Sequence, residues 1–316
     1  MKKEQSRRDF LRISAAGALG AVFVTNQACQ NSGQKTKTGT SPIVDPKTFG
    51  IGLQLYTIRD AMAADPMGSL KQVSDTGYKY VELAGYANGK FYGYEPSEFK
   101  KSVNDLGMDI LSSHTQVEAQ GITLENAKKM AEDHARLGVK YCVQPWIVEE
   151  ARTTAASFQK MAADWNKVGE IMKGYGIQFG YHNHNFEFDK IEGKVPYFDI
   201  MLAELDKDLV TMEIDIFWSS KAGQNLIDIF NKYPGRFQLF HLKDMFTAVS
   251  KPYYTTVGEN DFAPVGEGVI NFKEILAAKD IAGMKYMIVE QDLDKNGKPF
   301  DAIKTSITNL TTKILV

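Results

Sequence analysis

The 316-residue sequence predicts an α/β protein whose main domain, residues 49–316, is a (β/α)8 TIM barrel. Three observations carry this expectation. Eight short apolar, strand-like runs recur along the chain, amphipathic segments alternate with them, and several runs begin just after a glycine that stops the preceding helix. A composition of 43% hydrophobic and 24% charged residues is enough for a sizeable core, and no break in composition divides the run. The net charge is -2, with no basic block beyond the N-terminus, which argues against nucleic acid as the main partner.

Residues 1–29 read as a signal peptide and 30–48 as a flexible linker. "SRRDFL", Ser6 to Leu11, resembles the twin-arginine export signature. The apolar stretch from Ile13 to Val24 is too short to span a bilayer. The expected location is therefore the periplasm. Export in the folded state suits a protein that must load a metal first. Ala28 before Cys29 resembles a lipoprotein box, which would anchor the chain to a membrane through Cys29. Asn26 and Gln27 depart from that pattern, and ordinary cleavage nearby with Cys29 incidental is the alternative.

The first strand, "GIGLQL", runs into "QLYTIRD" and offers Gln54 or Tyr56 to a pocket floor. A doubly wound open sheet, the competing architecture, usually carries a Gly-rich phosphate loop at this point, and none is present. The second strand, "YKYVELA", ends near Glu82, and the third, "MDILSSH", at His114. The fourth, "VKYCVQ", contains Cys142, read as a small core residue; with Cys29 in the signal, no disulfide framework exists. In "FQKMAADWNKVGEIMKGYG", Phe158, Met161, Trp165, Val168 and Met172 recur at helical spacing, and Gly174 and Gly176 stop the helix. The fifth strand, "IQFGYH", leads into His182 and His184, and the sixth, "LVTMEID", ends at Asp215 with Trp218 just beyond. The seventh, "FQLFHL", ends at His241, Lys243 and Asp244. "VGEGVINFKEIL" then places Asn271 and Glu274 at capping-box-like spacing, so a turn and a capped helix, or an anion or sugar site at its N-terminus, are both readings of this loop. The eighth strand, "KYMIVE", ends at Glu290.

In a barrel of this kind the chemistry sits at the C-terminal ends of the strands. Four of the five histidines fall there, with Asp215 and Glu290. Imidazoles and carboxylates together are the ligand set of a divalent ion such as Mn, Co or Zn. A purely structural reading would have to be invoked separately for each of these residues, and buried carboxylates without partners are costly. His134 is the exception: its helix is otherwise charged, and it is expected at the surface. Alternation along the strand turns His182 and His184 the same way, into the barrel mouth, and Asn183 away.

The motifs "YHNHNFEF", "MEIDIFW", "FHLKD", "VGEGVINF" and "IVEQD" resemble the xylose-isomerase-like TIM-barrel family of sugar phosphate isomerases and epimerases, over roughly residues 49–316. The resemblance implies one divalent ion (Mn, Co, Zn or Mg) held by a fifth-strand residue, here His182, with Asp215, His241 and Glu290. It also implies a small-molecule carbohydrate substrate and, often, a homodimer. The family commonly carries a glutamate on the fifth strand, paired with the eighth-strand glutamate for acid/base work. His182 stands in its place, and His-x-His also occurs in inosose-dehydratase-like members. Glu290 or His184 is then the proton-moving group. Glu187 is either a substrate-binding group or base, or a solvated loop residue. Glu82, His114, Lys243 and Trp218 are the expected substrate contacts.

The expected activity is metal-dependent isomerisation or epimerisation of an unphosphorylated sugar or keto-sugar through an enediolate. The alternative is β-elimination on 3-keto-glycosides or inosose-like substrates. A non-catalytic sugar-binding protein and a repair nuclease like endonuclease IV rank lower. The first would need the acid/base groups lost; the second uses more metal ligands and sits poorly with an acidic pI.

Overall fold

The computed structural model describes residues 50–316 apart from 118–119, 192–193, 248–256 and 259. The signal, linker and lipid-anchor expectations, Cys29 included, lie outside the described residues.

The eight apolar runs form eight parallel strands: β1 (Ile51–Gln54), β2 (Tyr80–Leu83), β3 (Asp109–His114), β4 (Tyr141–Gln144), β5 (Gln178–His182), β6 (Val210–Asp215), β7 (Phe237–Leu242) and β8 (Tyr286–Val289). Each pairs with its sequence neighbours, and β1 pairs with β8, so the sheet closes into a barrel with no free edge. Among the described residues one main helix follows each strand: α1 (Pro66–Thr76), α2 (Pro96–Asp105), α3 (Ala127–Leu137), α4 (Ala155–Gly174), α5 (Tyr197–Glu204), α6 (Leu226–Lys232), α7 (Phe272–Ala277) and α8 (Pro299–Asn309), with further short helices at Arg59–Ala64, Ile216–Lys221 and Lys279–Ala282.

Local chemistry sets their ends. The Asp65 carboxylate accepts the Gly68 N–H at 3.0 Å ahead of α1, and Pro66 opens the helix at no hydrogen-bonding cost. Thr154 and Ser157 cap α4 reciprocally. Gly174 proves to be the last residue of α4 rather than its stop, and Gly176 supplies the left-handed turn at φ 77°. Inside α4, Gly169 lets the helix press on the β6 approach: a Cβ there would stand 2.7 Å from the Leu209 carbonyl oxygen.

The main core fills the layer between strands and helices. A separate apolar cluster, Leu111, Tyr141, Val143, Leu239 and Ile288, lies apart from it. Leu239 and Ile288 precede His241 and Glu290 by two residues and so face the same side of their strands. The polar residues of the barrel mouth therefore rest on an apolar layer inside the barrel.

His134 departs from expectation. It is fully buried against Phe91 and Tyr86. Its Nδ1–H donates to the Met130 carbonyl at 2.7 Å, and Nε2 lies 2.8 Å from the Thr115 hydroxyl. Ala127, Met130, Ala131, His134 and Leu137 share the buried face of α3, and even Asp133 is buried, accepting the Tyr86 hydroxyl at 2.7 Å. Burial lowers this imidazole to a pKa of about 4.

Candidate active site and metal centre

The C-terminal ends of the strands carry polar side chains in pairs two residues apart, which aims both members into the barrel mouth. These are His182 and His184, Glu213 and Asp215, His241 and Lys243, and Glu290 and Asp292. Four of them, His182, Asp215, His241 and Glu290, form one cluster, and Glu213 and His241 form a second with Glu82 and His114, so both are built around His241.

In the first cluster, donor atoms of His182, Asp215, His241 and Glu290 all lie within 4.8 Å of one another. His182 Nε2 is 3.1 Å from Asp215 Oδ2; His241 Nδ1 is 2.9 Å from Glu290 Oε2 and 4.0 Å from Asp215 Oδ2. The second cluster is Glu82, His114, Glu213 and His241. His114 Nε2 is 2.6 Å from Glu213 Oε2, and His241 Nε2 is 2.7 Å from Glu82 Oε1.

Ligands held at about 2.1 Å from one ion stand roughly 3.0–3.5 Å apart. Both clusters have spacings near that range, since His114 Nε2 is also 3.1 Å from Glu82 Oε1 and His241 Nε2 3.3 Å from Glu213 Oε1. Position separates the two: His182 and Glu290 of the first line the cavity described below, and Glu82 and Glu213 of the second do not. The first is thus the cation site candidate. The second is a proton-bearing network behind it, in which Glu82 also accepts Gln54 Nε2 at 2.8 Å and the Ser112 hydroxyl. Glu82 and Glu213 each follow a register shift in their strand pairing, which re-aims their carboxylates toward His241.

The fit to a cation is supported by charge. Glu82, Glu213, Asp215, Glu290 and Asp292 converge on this region around the Lys243 ammonium. That ammonium lies 2.6 Å from Glu290, 2.8 Å from Asp292 and 3.2 Å from Asp215. Burial pushes the Asp215 and Glu290 carboxyls up, but Lys243 and the neighbouring imidazoles outweigh it and hold both below the usual range. Burial raises Asp292 to about 6 despite Lys243, lowers His182 to about 4, and takes His184 well below its ordinary value. His182 and His184 are therefore neutral, as ligands and bases must be.

A cavity of about 470 Å³ opens above the cluster, lined by His114, His182, His184, Trp218, Lys243 and Glu290 among others. Among the expected contacts, His114, Lys243 and Trp218 border this cavity. Glu82 does not: its carboxylate is directed at His241 beneath. Glu187 is neither solvated nor in the cavity lining. It is fully buried, accepts the Tyr181 hydroxyl and the His184 N–H at 2.8 Å, and burial raises it to about 7. Asn183 does point away, accepting the Asp215 N–H at 3.1 Å. The Gly266 and Gly268 N–H groups are taken by the Asp244 carboxylate at 2.9 and 3.0 Å, so that loop is a braced turn, and the Asn271 side chain accepts the Glu274 N–H at the start of α7. Sequence reasoning passed over Glu213 and Asp292; the two-residue spacing from Asp215 and Glu290 was the available signal.

A family profile described as xylose isomerase-like TIM barrel matches residues 70–312. Inosose dehydratase from Clostridium beijerinckii is 28% identical over 144 residues, 43% of this chain and 47% of that protein. Inosose dehydratase from Mesomycoplasma hyopneumoniae is 24% identical over 243 residues, 72% of this chain and 75% of that protein. The chain thus spans less than half of the first relative. A solved sugar phosphate isomerase/epimerase from Parabacteroides distasonis superposes with a TM-score of 0.71 at 27% identity, covering 88% of this chain and 97% of that one.

Proposed function

The chain belongs to the xylose isomerase-like TIM barrel family, and from that premise we propose that it is a divalent-metal-dependent enzyme that removes a proton beside the carbonyl of an unphosphorylated sugar or keto-sugar. The observation that carries this reading is the His182–Asp215–His241–Glu290 cluster at the floor of the 470 Å³ cavity.

His182, Asp215, His241 and Glu290 are the residues that would hold the ion. When bound, the ion supplies Lewis-acid polarisation of a substrate carbonyl and neighbouring hydroxyl. Two imidazole donors favour Mn, Co or Zn over Mg. His184 borders the cavity as a neutral imidazole whose Nδ1 has no partner among the described residues. It is the candidate base, with Glu290 the candidate carboxylate partner. Lys243 is held charged and placed to neutralise a developing oxyanion. A phosphate dianion would meet Glu290 and Asp292, while Lys243 is already shared by three carboxylates; this favours a neutral sugar. The signal-like N-terminus supports action outside the cytoplasm.

Two outcomes share that proton removal. Return of the proton gives an isomer or epimer, the product class named for the Parabacteroides neighbour. Loss of a β-substituent gives an elimination product, the class named for the inosose dehydratases. The elimination reading is favoured by a specific feature: histidine, not a second carboxylate, occupies the fifth-strand position. Metal-loaded protein incubated in D₂O with ketoses, inososes and 3-keto-glucosides tests both readings by NMR. Deuterium uptake beside the carbonyl that is lost in Glu290→Gln and in His184→Ala supports the proposal, and the product peaks separate isomer from elimination product. Bound metal with no exchange on any of these carbonyl compounds would sink it.

A further inference from the structure

We infer that the barrel mouth holds a second sugar-ring subsite on the far side of Trp146, so that the substrate is a glycoside of at least two rings; this rests on the proposed sugar chemistry at the first cavity. A separate cavity of about 620 Å³ lies between the loop after β3, the loop after β4 and the α4 face. Both cavities are within the range of about 300–1,000 Å³ that holds small ligands.

Three features join the second cavity to the first. Trp146 lines both, and its residue is 38% exposed, which leaves indole surface for a ligand. The indole stands edge-on to His184, the candidate base, with ring centroids 4.6 Å apart. A ring seated against Trp146 is therefore next to the reacting position. Gln144 then braces the walls together. Its Nε2 donates to the Trp146 carbonyl at 2.6 Å and to Gln116, a first-cavity residue, at 2.9 Å; its Oε1 accepts the Ile122 N–H at 2.8 Å. At Gly121, φ is 69° and a Cβ would stand 2.1 Å from the Gln144 amide, so the loop backbone closes directly on that brace. The groove is preformed rather than assembled on binding.

Its chemistry is that of a sugar-ring seat. Ile122, Trp146 and Met161 give it apolar lining, and Glu125, Glu150 and Ser157 give it polar lining. A pyranose offers an apolar C–H face to an aromatic ring while its hydroxyls reach hydrogen-bond partners at the edge. Arg152 lies over the Trp146 ring 5.0 Å from its centroid and fixes the indole on that side.

The test is calorimetric titration of the metal-loaded full chain with glucose and methyl glucoside against cellobiose, maltose and trehalose. At least one disaccharide is expected to bind 10-fold or more tighter than the single rings. Trp146→Ala is expected to abolish that advantage. Met161→Trp, which fills only the second cavity, is expected to remove the advantage while leaving single-ring affinity unchanged. Circular dichroism confirms that both variants fold. Single-ring binding with no gain from any second ring overturns the subsite and leaves the proposed function standing, as does a gain that survives Met161→Trp. Absence of binding by every sugar, with no deuterium exchange, overturns both.

Discussion

Replacing Lys243 by Met removes the one ammonium shared by three carboxylates, at 2.6, 2.8 and 3.2 Å, without opening a large void. Lys243 is 2% exposed, so solvent cannot replace it. Removing one partner of a buried ionic cluster costs about 3–5 kcal/mol, because the remaining charges stay desolvated and mutually repelling. For a domain of this size each kcal/mol moves Tm by roughly 2–4 °C, so metal-free Lys243→Met should melt about 6–20 °C below wild type. A bound divalent ion puts two positive charges beside the same carboxylates, so it should stabilise the variant more than the wild type. The assay is thermal melting of both proteins in chelator and again with saturating Mn²⁺, Co²⁺ or Zn²⁺. Less than half of the chelator gap should remain when metal is present. A variant that melts with wild type in chelator, or equal metal-induced gains in the two proteins, would refute the reasoning.

Other consequences follow from neighbouring groups. Glu82 accepts from His241 Nε2 and so sets which nitrogen faces the cation cluster; Glu82→Gln should weaken metal affinity about 10–100-fold with little change in fold, measured by competition with a chromogenic chelator. His134 carries a pH dependence. Its folded pKa of about 4 lies below the unfolded value near 6.5, so between those limits the unfolded chain binds a proton that the folded one does not. Its contribution is complete above pH ~6.5 and is lost as pH falls to ~4, up to about 3 kcal/mol. Urea unfolding across that window should show a slope that flattens in His134→Gln; an unchanged slope would contradict the buried neutral assignment.

The barrel was legible because each strand is a short apolar run and several stand behind a helix-stopping glycine, a pattern that survives without tertiary context. The cation cluster was legible for a related reason: His182, Asp215, His241 and Glu290 each terminate such a run, and the closed barrel brings run ends together. What failed to show was depth. Glu82 lies near the end of β2 as His114 ends β3, yet one lies beneath His241 and the other borders the cavity; register shifts fall beside Glu82 and Glu213, and no local pattern encodes them. His134 was misplaced because the charged neighbours Asp133 and Arg136 drew more weight than its spacing from Ala127, Met130 and Ala131. Glu187 could not be placed from its loop position, since the Tyr181 hydroxyl that holds it comes from the strand before.

Metal content measures the central claim most directly. Purified chain should be loaded separately with Mn²⁺, Co²⁺ and Zn²⁺, freed of excess, and assayed for bound metal per chain. One equivalent in wild type, lost in the folded His182→Ala/Asp215→Asn double variant and retained in His134→Gln, is the predicted result. A wild-type chain that retains none of the three ions, or a double variant that binds as well as wild type, would contradict it.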